Sequence, residues 1–268
     1  MSFYFLKEYY LNGLNDPEQR RILGKEPGNF EAYSKKDCLG TILLQSKYDD
    51  KRADLFGFPK NRLYTGYYKL HESWLKTVLD NPCGGNKILE NEKSFIVIIT
   101  KKGGEHWFDS EEDPQILLEE TVEYIRKHYK YTLILIKTKL YKTDDSNDWL
   151  RSFVEHYNDK RIIIDITPLA FTAPKTIAAF FNISSTAYID FVINEVPCIT
   201  HERYGRNYYK VHPKGSFLPD FGVLRTSTVE ELDRAISTVK DGTFKIMNRD
   251  SLKKHIEHVN DEKVFVDL

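Results

Sequence analysis

Residues 182–190, NISSTAYID, bring three hydroxyls and a carboxylate into one short segment that follows an apolar run. Where a strand gives way to a helix, the first backbone N–H groups lack partners and the helix dipole is positive. An anion such as a phosphate can bind there. Ser184, Ser185 and Thr186 would add hydroxyl donors to that cradle, and Asp190, four residues beyond Thr186, can stand on the same face one turn later. A plain structural reading fits the same residues, with Ser185 as an N-cap and Asp190 as a solvated helix position.

A bound phosphate also needs positive charge near the C-terminal ends of the strands, where ligands of α/β folds sit. Lys101, in Lys101-Lys102-Gly103-Gly104, follows one apolar run, and Lys137, with Lys139 close behind, ends another. The two glycines let a ligand approach the backbone, although the tetrapeptide also reads as an ordinary loop. After a further run comes HERYGRNYY, residues 201–209. Arg203 or Arg206 could clamp a phosphate there and His201 could move a proton, or the tyrosines could pack the loop down. His106 is the other histidine that follows a strand end, which makes His201 and His106 the catalytic candidates. Neither has an orienting acid that the sequence identifies.

The acids of residues 109–113, DSEED, stand at a helix start, where the dipole accounts for them, and lack calcium-loop spacing. Neither a P-loop nor a spaced Gly-x-Gly-x-x-Gly occurs, which argues against an NTPase or a nicotinamide dehydrogenase. Cys38, Cys83 and Cys198 have no metal-ligand spacing, and their odd number suits a reducing compartment. No metal and no cofactor is expected.

The elements that must hold these residues are regular from Lys93 onward. Strands are expected at 95–100, 132–137, 161–166, 178–183, 196–200 and 222–226, alternating with amphipathic segments, the pattern of a parallel sheet with crossover helices. Ser110 with Asp113 and Pro114 begins a helix whose Leu118, Val122, Ile125 and Tyr129 share one face. Trp149, Phe153 and Tyr157 mark a second, and a third runs from a Ser227 and Glu230 cap through Leu232, Ile236 and Val239 to a stop at Gly242. Earlier in the chain, helices are expected near 3–11, 17–23, after Ser46 and at 71–79, with strands at 41–45 and 62–67. Residues 81–86, NPCGGN, have linker composition, so residues 1–85 form a reduced α/β N-terminal region and residues 86–268 a Rossmann-like domain.

Within this frame three segments resemble the GT-B glycosyltransferase-like enzymes of bacterial surface polysaccharide synthesis, in particular CDP-glycerol glycerophosphotransferases and capsule polysaccharide transferases. Ser185 and Thr186, Asp190 with Phe191, and Val196-Pro197-Cys198-Ile199 are similar to the donor-site segment of that family. Residues 44–50 and 56–67 are similar to the passage between its two domains, and residues 217–232 to its closing strand and helix. The family often has a histidine-containing element after the second strand, whereas this chain has Ile136-Lys137-Thr138-Lys139. The resemblance implies a C-terminal donor domain of the GT-B type. Ser184, Ser185, Thr186, Lys101, Lys137 and Arg203 would hold donor phosphates, and Asp190 would orient the donor. It implies transfer of a sugar or polyol-phosphate from a nucleotide-sugar or CDP-polyol to a glycan or lipid-linked acceptor. With about 90 residues before the donor domain, the acceptor half is expected to be reduced. The alternative is therefore a non-catalytic nucleotide-sugar-binding module completed by a separate acceptor-domain partner.

Composition sets the outer bounds. The 268 residues are 41% hydrophobic, 13% aromatic and 29% charged, enough apolar material for a real core. Thirty-nine Lys and Arg balance forty Asp and Glu, so no global field holds a nucleic acid, which is not expected as a partner. The apolar runs are far shorter than the ~20 residues of a membrane span, and the first residues lack a signal-peptide core. A cytoplasmic location is expected, with peripheral attachment at the cytoplasmic membrane left open.

Overall fold

The computed structural model describes residues 42–44, 50, 62–64, 70, 72–80, 87–101, 107–138, 148–165 and 175–255. The chain divides into two units, residues 78–248 and residues 1–77 together with 249–268. The division falls inside helix α1 (Glu72–Asp80). Residues 81–86, expected to form the linker, lie outside the described residues, as do the expected helices near 3–11 and 17–23. In the smaller unit, β1 (Ile42–Leu44) pairs in parallel with β2 (Arg62–Tyr64), and Arg62 Nη1 donates to Asp50 Oδ1 at 3.1 Å. Both short strands lie where the sequence pattern puts them.

The larger unit holds one six-stranded sheet made of β3 (Phe95–Ile99), β4 (Leu133–Lys137), β5 (Ile162–Asp165), β6 (Thr176–Phe181), β7 (Cys198–His201) and β8 (Leu224–Thr226). Every pairing is parallel, in the spatial order β5-β4-β3-β6-β7-β8. Counted along the sheet's own strands this is the Rossmann order 3-2-1-4-5-6, with its reversal between β3 and β6. All six expected strands are present, each within a few residues of its expected bounds. FIVII and LILIK are buried at every position because helices cover both faces of a parallel sheet.

One face carries α3 (Asp113–His128), α4 (Asp148–Tyr157) and α7 (Val229–Lys240). Ile96, Ile98, Ile134, Ile136, Ala178, Phe180 and Ile199 meet Leu118, Val122, Ile125, Leu150, Phe153, Leu232 and Ile236 there. α5 (Tyr188–Ile193) packs against β6 and β7, with Phe181 edge-on to Phe191 at 6.0 Å. The larger unit also holds the short helices α2 (Lys87–Asn91) and α6 (Arg206–Val211), whereas α8 (Arg249–His255) belongs to the smaller unit. Among the described residues no helix is long and apolar enough to cross a membrane.

Helix starts follow local chemistry. Ser110 and Asp113 exchange the expected reciprocal bonds: Asp113 N donates to Ser110 Oγ and Ser110 N to Asp113 Oδ2. The third cap is a correction: Thr228 with Glu231, rather than Ser227 with Glu230, forms the capping box. Thr228 has the extended backbone an N-cap requires, which leaves Ser227 to donate its N–H to Glu231 Oε2. Gly242, at φ +71°, ends the helix region as expected.

Candidate functional site

Ligands of open α/β sheets lie beyond the C-terminal ends of the strands where the strand order reverses, here between β3 and β6. Asn182 N donates to Ile99 O at 3.0 Å, joining these two strands at their ends. The side-chain amide of Asn182 is anchored on α3, donating to Thr121 Oγ1 at 2.9 Å. Thr100 Oγ1, Asn182 Oδ1 and Ser184 Oγ, each just past one of these strands, are buried polar atoms with no hydrogen-bond partner in the structure. Buried polar atoms are seldom left unpaired, so these three, at the ends of the two strands that flank the reversal, are candidates to meet water or a ligand.

The hydroxyl segment folds differently from its expected form. Ser185 Oγ accepts from Ala187 N at 3.3 Å in a local turn, and α5 begins only at Tyr188, capped by Ala187 without a side-chain bond. Ser184, Ser185 and Thr186 therefore lie on a half-buried bend between β6 and α5. Asp190, expected on an open face, is buried within α5, and its carbonyl accepts from Asn194 Nδ2. The apolar neighbours Phe191, Val192 and Ile193 pull that side of the short helix against the sheet.

The cations are also placed unevenly. Lys101 Nζ lies 5.3 Å from the Trp107 ring centre, a cation–π contact beside β3. Lys137 lies opposite Asp165 in the β4–β5 register and donates to its Oδ2 at 2.5 Å, with both side chains buried. Burial lowers the Lys137 pKa and Asp165 partly restores it. The expected phosphate ligand thus has a carboxylate for a partner. Lys102, Gly103, Gly104, His106 and Lys139 lie outside the described residues.

His201 has the acid partner that the sequence did not reveal. Its ring is fully buried, with Nε2 2.8 Å from Glu120 Oε2 and Nδ1 3.0 Å from Thr226 Oγ1. Glu120 comes from α3 and Thr226 stands beside His201 in the β7–β8 register. A carboxylate only accepts, so Nε2 carries the hydrogen and Nδ1 takes one from Thr226. Burial lowers the His201 pKa and the Glu120 hydrogen bond partly restores it. Arg203 Nη2 donates to the same Glu120 oxygen at 2.5 Å. Burial raises the Glu120 carboxyl, but the bonds from Arg203 and His201 outweigh this and hold it below the usual carboxylate value.

Side chains alternate along a strand, so the next residue, Glu202, enters the opposite side of the sheet. It too is fully buried. Thr200 Oγ1 donates to it at 3.0 Å, Ser216 N at 3.2 Å, and Arg225 Nε lies 3.0 Å from Oε1. Arg225 passes so close to Gly215 that a Cβ at that position would overlap the guanidinium, and Gly215 has φ +77°. Around this core the HERYG loop packs on the 107–109 turn: Gly205 N donates to Trp107 O, and Tyr208 stacks on Trp107 at 5.4 Å. A Cβ on Gly205 would lie 2.7 Å from the Asp109 and Phe108 backbone. The tyrosines of the loop pack inward, while Arg203 stays at the surface paired with Glu120.

No group of three or more His, Cys, Asp or Glu side chains among the described residues is arranged to hold a metal. No family model and no curated protein matches the chain. Among solved structures it is similar to Methanocaldococcus jannaschii UDP-GlcNAc 2-epimerase in complex with UDP-GlcNAc and UDP, at 14% identity over 80% of this chain and 59% of that one, with a TM-score of 0.46. It is similar to Os79 from O. sativa in complex with U2F and trichothecene, at 18% identity over 85% and 51%, TM-score 0.48. A third is the pneumococcal O-GlcNAc transferase GtfA in complex with UDP and GlcNAc, at 10% identity over 84% and 43%, TM-score 0.45. The chain therefore spans roughly half the length of these proteins.

Proposed function

We propose that the larger unit is the donor-binding domain of a GT-B glycosyltransferase-like protein, which takes a nucleotide-activated sugar or polyol-phosphate at the β3–β6 crevice. The observation that carries this reading is the set of unpaired buried polar atoms, Thr100 Oγ1, Asn182 Oδ1 and Ser184 Oγ, at the reversal of a Rossmann-ordered sheet. Backbone N–H groups and hydroxyls of the Ser184–Thr186 bend would hold the donor phosphates, with charge from Lys101 and Arg203. Asp190 and Lys137 would need to leave their buried settings to take part, so their roles are the least supported of the set. In transfer, the acceptor hydroxyl attacks the donor, its proton passes to a base, and the nucleotide leaves with the bond's electron pair. The fixed donors stabilise the negative charge that develops on its phosphate. A surface glycan or its lipid-linked precursor at the cytoplasmic face of the membrane would be the acceptor. The reaction invokes no metal or cofactor beyond the donor.

One observation favours a second reading, a binding module completed by an acceptor-domain partner. His201 has both ring nitrogens engaged and no exposed surface, so it cannot take a proton from an acceptor as it stands. In a single-chain enzyme the base would be another group, with His106 the other histidine candidate.

Calorimetry of the full chain against CMP-, CDP-, UDP- and GDP-linked donors tests the shared core of both readings. Binding to at least one, lost in Ser184→Ala/Thr186→Ala, is the expected result; a folded chain that binds none contradicts both. Single-chain turnover of a bound donor would then reject the module.

A further inference from the structure

The imidazole of His201 and the guanidinium of Arg203 converge on one atom, Glu120 Oε2, at 2.8 and 2.5 Å. The three side chains differ in exposure: His201 has none, Glu120 has 20% and Arg203 has 42%. The pair between Glu120 and Arg203 is therefore solvated, weak and readily exchanged for another anion, because water and salt screen both charges. Arg203 also sits two residues beyond the C-terminal end of β7, the strand that pairs with β6.

The ring beneath is built to accept either protonation state. In the neutral ring Thr226 Oγ1 donates to Nδ1. In the imidazolium Nδ1 would donate to Thr226 Oγ1, which can turn its hydrogen to Thr200 O at 3.4 Å. No heavy atom has to move. The charged groups that face the ring are Glu120 from α3, Arg203 from the loop after β7 and Glu231 from α7. A protonated ring adds a second positive charge on the carboxylate oxygen that holds Arg203, so the two cations compete for it.

We propose that Glu120 is a latch on Arg203, holding the guanidinium while the strand-end crevice is empty and yielding it to a nucleotide diphosphate, with His201 setting the latch's strength. The proposal rests on the reading that the crevice binds a nucleotide diphosphate. Glu120 and His201 are positioning residues in it, and only Arg203 touches the ligand. Because the pair is weak, the ligand needs little extra affinity to open it.

The test is calorimetry with UDP and CDP on the full chain in four forms: wild type, E120Q, R203A and E120Q/R203A. R203A loses about tenfold or more in affinity, the effect of a charge-assisted phosphate contact. E120Q binds about two- to fivefold more tightly, the range of one exposed ion pair. The double variant behaves as R203A, because a latch without its bolt has no effect. The advantage of E120Q over wild type is constant above pH 6.5 and shrinks as the pH falls below it, because burial delays His201's proton past the ordinary imidazole value and that proton loosens the latch. Comparison at each pH cancels the titration of the ligand's own phosphate. Arg203 is exposed, so R203A stays informative even if E120Q proves unstable. A loss in R203A with no gain in E120Q overturns the latch and leaves the crevice standing. An unchanged R203A also overturns it. If wild type binds neither diphosphate, the reading of the crevice itself fails and the latch falls with it.

Discussion

β4 and β5 end on Lys137 and Asp165, a cation and an anion that neutralise each other with both side chains buried. Across the reversal, β6 leads to an amide oxygen and a hydroxyl without partners, Asn182 Oδ1 and Ser184 Oγ, and β7 ends on an imidazole held by a carboxylate that an exposed arginine shares, next to a second acid braced from β7, β8 and one loop. Both stretches place polar residues at the C-terminal edge of one sheet, yet among the described residues β4 and β5 end on a completed pair while β3 and β6 lead to side-chain atoms without partners. A charge at a strand end is therefore not in itself a ligand site. What distinguishes a site is whether the surrounding chain has already completed the charge.

Substitutions in the two halves should separate along that line. The largest effect is expected at the closed half: Asp165→Ala strands a buried ammonium and should cost about 3–5 kcal/mol in denaturant unfolding, whereas Lys137→Met/Asp165→Leu together should cost far less. Donor affinity should be unchanged in the double variant. A well-folded Asp165→Ala, or a double variant that no longer binds donor, would erase the contrast.

On the open half, Glu202→Ala removes the acceptor of Ser216 N–H and the partner of Arg225, and should cost about 2–3 kcal/mol in the same measurement. The His212 imidazole, buried and tilted against the Tyr208 ring, is pushed down to about 4 by its burial. Its unfolded form titrates near 6.5, so its contribution to stability is complete above that value and is lost as pH falls through about 4. Thermal melts across that window should show a slope that His212→Phe reduces. The smallest effect belongs to neither half: Thr228→Ala removes the N-cap of α7 and should cost about 1 kcal/mol, with donor binding intact.

Much of the frame is legible in the sequence because burial on both faces writes it as apolar runs. FIVII, LILIK and RIIIDI announce their strands, and the Ser110–Asp113 and Gly242 signals mark helix ends through short-range bonds. Such signals are local, and a one-residue slip, as at Thr228, is their typical error. The site is less legible since its partners come from far along the chain. Glu120 meets His201 across 81 residues, and nothing in its helix sets it apart from Glu119 or Glu123. Two pairings did leave a trace: LILIK and IIID are buried strands that end on opposite charges, and His201 and Thr226 end neighbouring strands. Sequence order alone does not say which strands are neighbours, so those traces become readable only once the sheet order is known. Asp190 went the other way, because its spacing from Thr186 shows a shared helical face but not that the face turns inward.

The central claim, that the β3–β6 crevice takes a nucleotide diphosphate, is tested most directly by following backbone amide resonances of the full chain as UDP or CDP is added. The account predicts that Thr100, Ser184, Ser185, Thr186 and Arg203 shift together and saturate with one affinity, while Lys137, Asp165 and the Glu123–His128 end of α3 do not move. Shifts centred on that far end, or none in a folded chain, would contradict it.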